Sequence, residues 1–130
     1  MQIARNIDVE DTVRQALTGF FTIYCRPLPK DFTVPSLLVT QVGGDDENTI
    51  SRFDIVLDSR ANDEATAMLN LRNAIGVLKA AAGSQNTGIS YVTVNSSASW
   101  GVDPVRPELA MCSARLTVLA HEENAEVNES

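Results

Sequence analysis

Asp45-Asp46-Glu47-Asn48 places four oxygen-bearing side chains in a row, the densest concentration of ligand chemistry in the chain. Hard cations such as calcium take clustered carboxylate and carbonyl oxygens. These four lack the alternating spacing of a calcium loop, so an ordinary solvated turn is the expectation. His121 is the only histidine and stands beside Glu122. A general base or metal ligand needs a rigid, shaped pocket, and the polar segment around His121 offers no sign of one. Ser96, Ser97 and Ser99 supply hydroxyls, but without a Gly-x-Ser-x-Gly elbow or a second histidine they read as a polar loop. Gly43-Gly44 belongs to no phosphate loop or dinucleotide fingerprint and reads as a turn. Cys25 and Cys112 lack metal-site spacing and suit small buried hydrophobes better than a disulfide. No catalytic, cofactor-binding or metal-ligating set emerges, and the chain does not read as an enzyme.

Ser99 to Pro107, Ser-Trp-Gly-Val-Asp-Pro-Val-Arg-Pro, is the richest remaining segment. It holds the only tryptophan, two stiffening prolines and Arg106, and Trp and Arg are enriched at interface hot spots. Two readings of Trp100 stand side by side: an interface anchor, or an aromatic folded back over a sheet edge to plug its own core.

Length and charge bound what such residues can serve. A chain of 130 residues with 44% hydrophobic content fits one domain. Ten Lys and Arg against seventeen Asp and Glu give a formal charge of −7, so general attraction to nucleic-acid phosphates or anionic membranes is not expected. Glu122, Glu123, Glu126 and Glu129 follow Ala120 with no basic residue among them. Residues 1–119 are therefore expected to form the domain, and 120–130 an acidic tail, disordered when alone. No apolar run reaches eighteen residues, and the Met1 end lacks the layout of a secretory signal. Cytosolic synthesis without a membrane span is the expectation.

The elements that must position these residues follow from periodicity. Val9, Val13, Ala16, Leu17, Phe20 and Tyr24 recur at helical steps, predicting a helix from Asp8 to about Tyr24 that Arg26-Pro27-Leu28-Pro29 ends. Ser36 to Val42 predicts a strand, and Ile50 to Asp58 a second, with Phe53, Ile55 and Leu57 on its buried face. Asn62 is the expected cap of a helix whose stripe is Ala65, Met68, Leu71, Ile75, Leu78 and Ala82, with Gly83 as its stop. Ala80-Ala81-Ala82 suggests close approach to the sheet at that end. Ile89 to Asn95 and Ala110 to Leu119 complete the sheet. The expected class is α+β, a single domain in the order α-β-β-α-β-β, with a mainly antiparallel sheet and helices packed on one face.

That combination of first helix, Pro-flanked strand ending in Val42-Gly43-Gly44, alternating strand, capped helix with Glu64-Ala65, and Trp100-Gly101-Val102-Asp103-Pro104 loop resembles the tail terminator and tail-completion proteins of long-tailed bacteriophages and prophages. The resemblance spans roughly Asp8 to Leu119. It implies a structural protein of the virion neck, made in the host bacterial cytoplasm. Such a protein closes as a homo-oligomeric, hexameric ring on the tail tube protein and joins the head connector, while DNA passes its lumen without specific binding. It needs no cofactor. The expected contact residues are Gly43, Gly44, Asp45, Asp46 and Glu47 in the hairpin, and Trp100, Asp103 and Arg106 in the later loop. The acidic residues, including those after Ala120, are expected to flank the lumen. A small regulatory or ligand-binding α+β module is the alternative, and an enzyme ranks last.

Overall fold

In a computed structural model of the chain, residues 1–45, 50–84 and 87–128 are described, with residue 97 described through its backbone only. The elements run β1 (Gln2–Arg5), α1 (Val9–Leu17), β2 (Ile23–Cys25), β3 (Ser36–Asp45), β4 (Ile50–Ala61), α2 (Glu64–Ala81), β5 (Ile89–Gly101), β6 (Ala110–His121) and β7 (Glu123–Glu126). The α+β class and the six expected elements hold in their expected order, and three short strands are added.

Five strands make the main sheet in the order β2-β3-β4-β6-β5. Every pairing is antiparallel except β2 with β3. Alternation decides its faces. Phe53, Ile55 and Leu57 of β4 and Cys112, Ala114, Leu116 and Val118 of β6 are buried in one cluster with Val9, Val13 and Leu17 of α1 and Ala67, Leu71, Ala74 and Leu78 of α2. The other face is polar. There Thr117 donates to Asp54 at 2.9 Å, Asn95 donates to Thr117, and the Ser113 hydroxyl meets Asp58.

Several boundaries differ from the periodic reading, each for a local reason. Helix α1 starts as expected, with Asp8 accepting from the Asp11 amide at 3.2 Å, but it stops at Leu17. The aromatic and β-branched run Phe20 to Tyr24 favours extended backbone, and its end pairs with Leu37–Val39 as β2. Phe20 is consequently 71% exposed rather than on a buried stripe. Asp63, not Asn62, caps α2 by accepting from the Thr66 amide at 2.8 Å. Helix α2 is tied to β4 at Ala67, whose carbonyl accepts from Ser59 Oγ at 2.8 Å; at its other end Ala80 is exposed, Ala81 is half-buried and Ala82 packs against the core.

Gly43-Gly44 is not a turn. Both lie in β3, just past a bulge between Gln41 and Gly43, opposite Asp54 and Phe53. At Gly44, φ is +148° and a Cβ would sit 2.3 Å from the Arg52 carbonyl oxygen, so only glycine fits this approach. The serine segment 96–99 likewise continues β5 rather than looping, at the cost of three register irregularities along the strand. Such bulges are common on edge strands and blunt indiscriminate pairing.

The boundary at residue 119 is also corrected. β6 runs on to His121, and Glu123–Glu126 pairs antiparallel with Gln2–Arg5 as a two-stranded sheet. Two exposed ion pairs accompany the main-chain pairing: Glu126 takes the Met1 ammonium at 2.8 Å and Glu123 takes Arg5 at 3.3 Å.

Candidate functional site

The segment after Trp100 is fastened to the polar face of the sheet by a small, buried network. Arg60, near the end of β4, is 8% exposed and Asp103 2% exposed. Arg60 Nε donates to Asp103 Oδ2 at 2.6 Å. The other carboxylate oxygen, Oδ1, accepts from the amides of Val105 and Arg106 at 2.8 and 2.9 Å, an aspartate turn that shapes the loop around Pro104. Arg106 Nη1 donates to the Phe32 carbonyl at 2.9 Å. The Arg106 and Arg60 guanidinium carbons lie 4.7 and 5.7 Å from the centroid of the Phe32 ring, which two cations therefore engage. Phe32, Leu38 and Leu109 are buried outside the main core.

Burial pushes the Asp103 carboxyl up, but the Arg106 amide, the Arg60 guanidinium and the Val105 amide together outweigh it and hold it below the usual range. Asp103 is thus a buried anion at neutral pH. It braces the loop and presents nothing outward, in contrast to the contact role expected of it. Arg106 is also turned inward, toward Phe32. What the bracing leaves outside is apolar: Trp100 is 49% exposed, Val102 68% and Val105 74%. Trp100 is about half covered and stands opposite the buried Cys112 in the ladder, so both readings of it, interface anchor and cover of the sheet edge, stand. Val102 and Val105 escaped the sequence reading, although two valines flanking an Asp-Pro turn are a readable signal. Arg60 and Phe32 escaped it because their role depends on pairing across 43 residues or more.

The hairpin residues lie elsewhere. Asp45 is opposite Arg52 and bound to it at 2.8 Å, whereas Arg60 sits eight residues further along β4, about 27 Å at the usual strand rise. The two expected contact clusters therefore occupy opposite ends of the sheet. Gly43, Gly44 and Asp45 belong to β3; Asp46 and Glu47 lie outside the described residues.

Reactive chemistry is sparse. Among the described residues no group of three His, Cys, Asp or Glu could hold a metal ion. His121 is exposed at the end of β6. Cys25 and Cys112 are free, and burial, aided by nearby carboxylates, pushes both thiols up, away from the nucleophilic thiolate. Among the described residues no helix is long and apolar enough to cross a membrane.

One large recess exists on the helix-bearing side, about 850 Å³, between α2 and the segments that lead into β2 and β3. Its walls are mixed, with Phe20, Phe21, Pro35 and Val77 beside Thr33, Asn70, Arg72 and Asn73. The Phe20 and Phe21 rings are 6.5 Å apart. No carboxylate, histidine or cysteine lines it among the described residues. The chain matches no protein-family model and no curated protein sequence.

Proposed function

We propose that this chain is a structural ring subunit of the tail-terminator type, closing the tube of a long-tailed phage and meeting the head connector above it. The observation that carries the reading is the loop at 100–107. A buried ion pair and two main-chain hydrogen bonds hold Asp103 to Arg106 in place, and Val102 and Val105 of the loop, with Trp100 at the end of β5, are exposed beside them. Rigid exposed aromatic and aliphatic groups lose little conformational entropy on binding, which is what an interface core requires. Beside it runs β5, a thirteen-residue strand at the sheet edge, where unpaired main-chain groups are available to a neighbour.

A ring needs each subunit to offer two different surfaces whose rotation closes. The separation of the hairpin from the Trp100 loop along β4 supports a third requirement, that a subunit between tube and connector contact something at each end. The formal charge of −7 suits a lumen that DNA passes without sticking. Native mass measurement with negative-stain imaging tests the reading: ring particles, free or on purified tail tubes, are expected. A chain that is monomeric or dimeric under both conditions fits the alternative, a small ligand-binding module.

A further inference from the structure

Two segments without helix or strand meet at the end of the sheet where β4 finishes. Residues 29–34 lead into β3, and residues 103–109 join β5 to β6. Each has main-chain bonds of its own. The Phe32 amide donates to the Pro29 carbonyl and the Thr33 amide to the Tyr24 hydroxyl, both at 3.2 Å; the Leu109 amide donates to the Arg106 carbonyl at 3.1 Å, beside the turn that Asp103 shapes. Arg106 joins the two. Its guanidinium holds the Phe32 carbonyl at 2.9 Å and lies over the Phe32 ring, and Arg60, itself bound to Asp103, reaches the same ring. A charged donor makes a hydrogen bond about twice as strong as a neutral one, so neither segment leaves cheaply without the other. Beneath them Phe32, Leu38 and Leu109 are buried, yet none of the three belongs to the main core cluster. They form a satellite of the kind that lies under long loops.

We propose that residues 29–34 and 103–109 form one strap, locked by Arg106, that opens and closes as a unit while the main sheet and both helices stay folded. Elements open together when the bonds between them are strong and their share in the rest of the core is small, and both conditions are met here. The exposed Glu108, 3.7 Å from Arg106, adds little to the lock. Closed, the strap keeps Arg60 and Asp103 out of water and holds Val105 outward. At its other end its own Thr33 and Val34, with Pro35 after them, line the 850 Å³ recess. The strap therefore ties one wall of the recess to the exposed loop on the far side of the sheet end. Opened, it uncovers Leu38 and frees both surfaces. This device is independent of the ring reading.

Native-state hydrogen exchange, followed residue by residue by NMR at urea concentrations below the unfolding transition, tests this. The reporters are the hydrogen-bonded amides of Phe32, Thr33, Val105, Arg106 and Leu109. In the wild-type chain all five are expected to share one opening free energy and one urea dependence, both below those of the amides of β4 and β6. Asp103 bonds Arg60, Val105 and Arg106 and no group of residues 29–34 among the described residues. Asp103→Asn is nevertheless expected to speed exchange at Phe32 and Thr33 by the same factor as at Val105, Arg106 and Leu109, about fivefold or more, the scale of a weakened charged hydrogen bond. Tyr24→Phe, at the other end, is expected to speed the Val105, Arg106 and Leu109 amides by about threefold. Two groups of amides with separate opening free energies overturn the strap, as does either variant acting on its own segment alone. Exchange of all five together with β4 and β6 overturns it too, because the segments then open only when the whole chain unfolds. Exchange that ignores urea also overturns it, since each amide then opens by its own small fluctuation.

Discussion

Replacing Asp103 with alanine is the sharpest test of how the loop is held. The substitution strips the partner from a guanidinium whose side chain is 9% exposed and leaves the Val105 and Arg106 amides without their acceptor. Breaking a buried ion pair from one side costs about 3–5 kcal/mol, because the remaining charge stays desolvated and alone. For a chain of this length each kcal/mol moves the melting midpoint by about 3–5 °C, so Asp103→Ala is expected to melt roughly 10–25 °C below wild type. Asp103→Asn keeps the shape and an oxygen for the amides but forfeits the charge, and should lose about 1–3 kcal/mol. Replacing both partners by apolar residues, Arg60→Met with Asp103→Leu, removes the stranded charge and should recover part of the lost stability, the part that remains lost being that of the Val105 and Arg106 amides, which still lack their acceptor. Urea titrations followed by circular dichroism measure the global change, and Trp100 emission reports the strand next to the loop. A loss below about 1 kcal/mol in Asp103→Ala, or a double variant no better than the single one, would refute the claim that this pair is what braces the loop.

Acid should weaken the fold through two carboxyls in particular. Burial pushes Glu10 up, but hydrogen bonds from Arg26 and the Gln41 amide outweigh it, so it lies below its ordinary value, as Asp103 does. A carboxyl depressed by folding contributes stability that is fully present above its unfolded value, about 3.9 for Asp and 4.3 for Glu, and is lost as pH falls through the folded value. Melting temperatures measured from pH 7 to pH 2 should therefore drop below about pH 4, and less steeply in Asp103→Asn. At the bulge, Gly44→Ala should cost clearly more than Gly43→Ala. A Cβ at Gly44 meets a carbonyl oxygen at 2.3 Å, while at Gly43 the nearest atom is the Asp54 carboxylate at an ordinary 3.5 Å; equal denaturation midpoints would contradict the strain. In the core, Leu57→Ala at a fully buried position of β4 should lose about 2–5 kcal/mol in the same assay.

What the sequence made legible was whatever depends on short-range periodicity. The alternation of Phe53, Ile55 and Leu57 and of Cys112, Ala114, Leu116 and Val118 identified the buried face, and the Asp8 and Gly83 signals bounded two helix ends. It failed where tertiary pairing outbid local pattern. Tyr24 sits at a helical step from Leu17 and Phe20, yet strand pairing with Leu38 claims it. Gly43-Gly44 has the composition of a turn, yet cross-strand register with Asp54 and Phe53 holds it extended. The acids Glu123 and Glu126 looked solvated and find ion pairs with residues more than a hundred positions away. The site divides similarly. Trp100 was recognisable by type and context. Asp103 was recognisable as special but not in its role, because only the fold brings Arg60 beneath it.

The measurement that bears most directly on the ring reading is the mass of the assembled particle. Native mass spectrometry and negative-stain imaging, on the purified chain and on the chain mixed with tail tubes, should show closed rings at six times the 14.1 kDa chain, seated at the tube ends. Particles of one or two chains under both conditions, or rings that ignore the tubes, would contradict it.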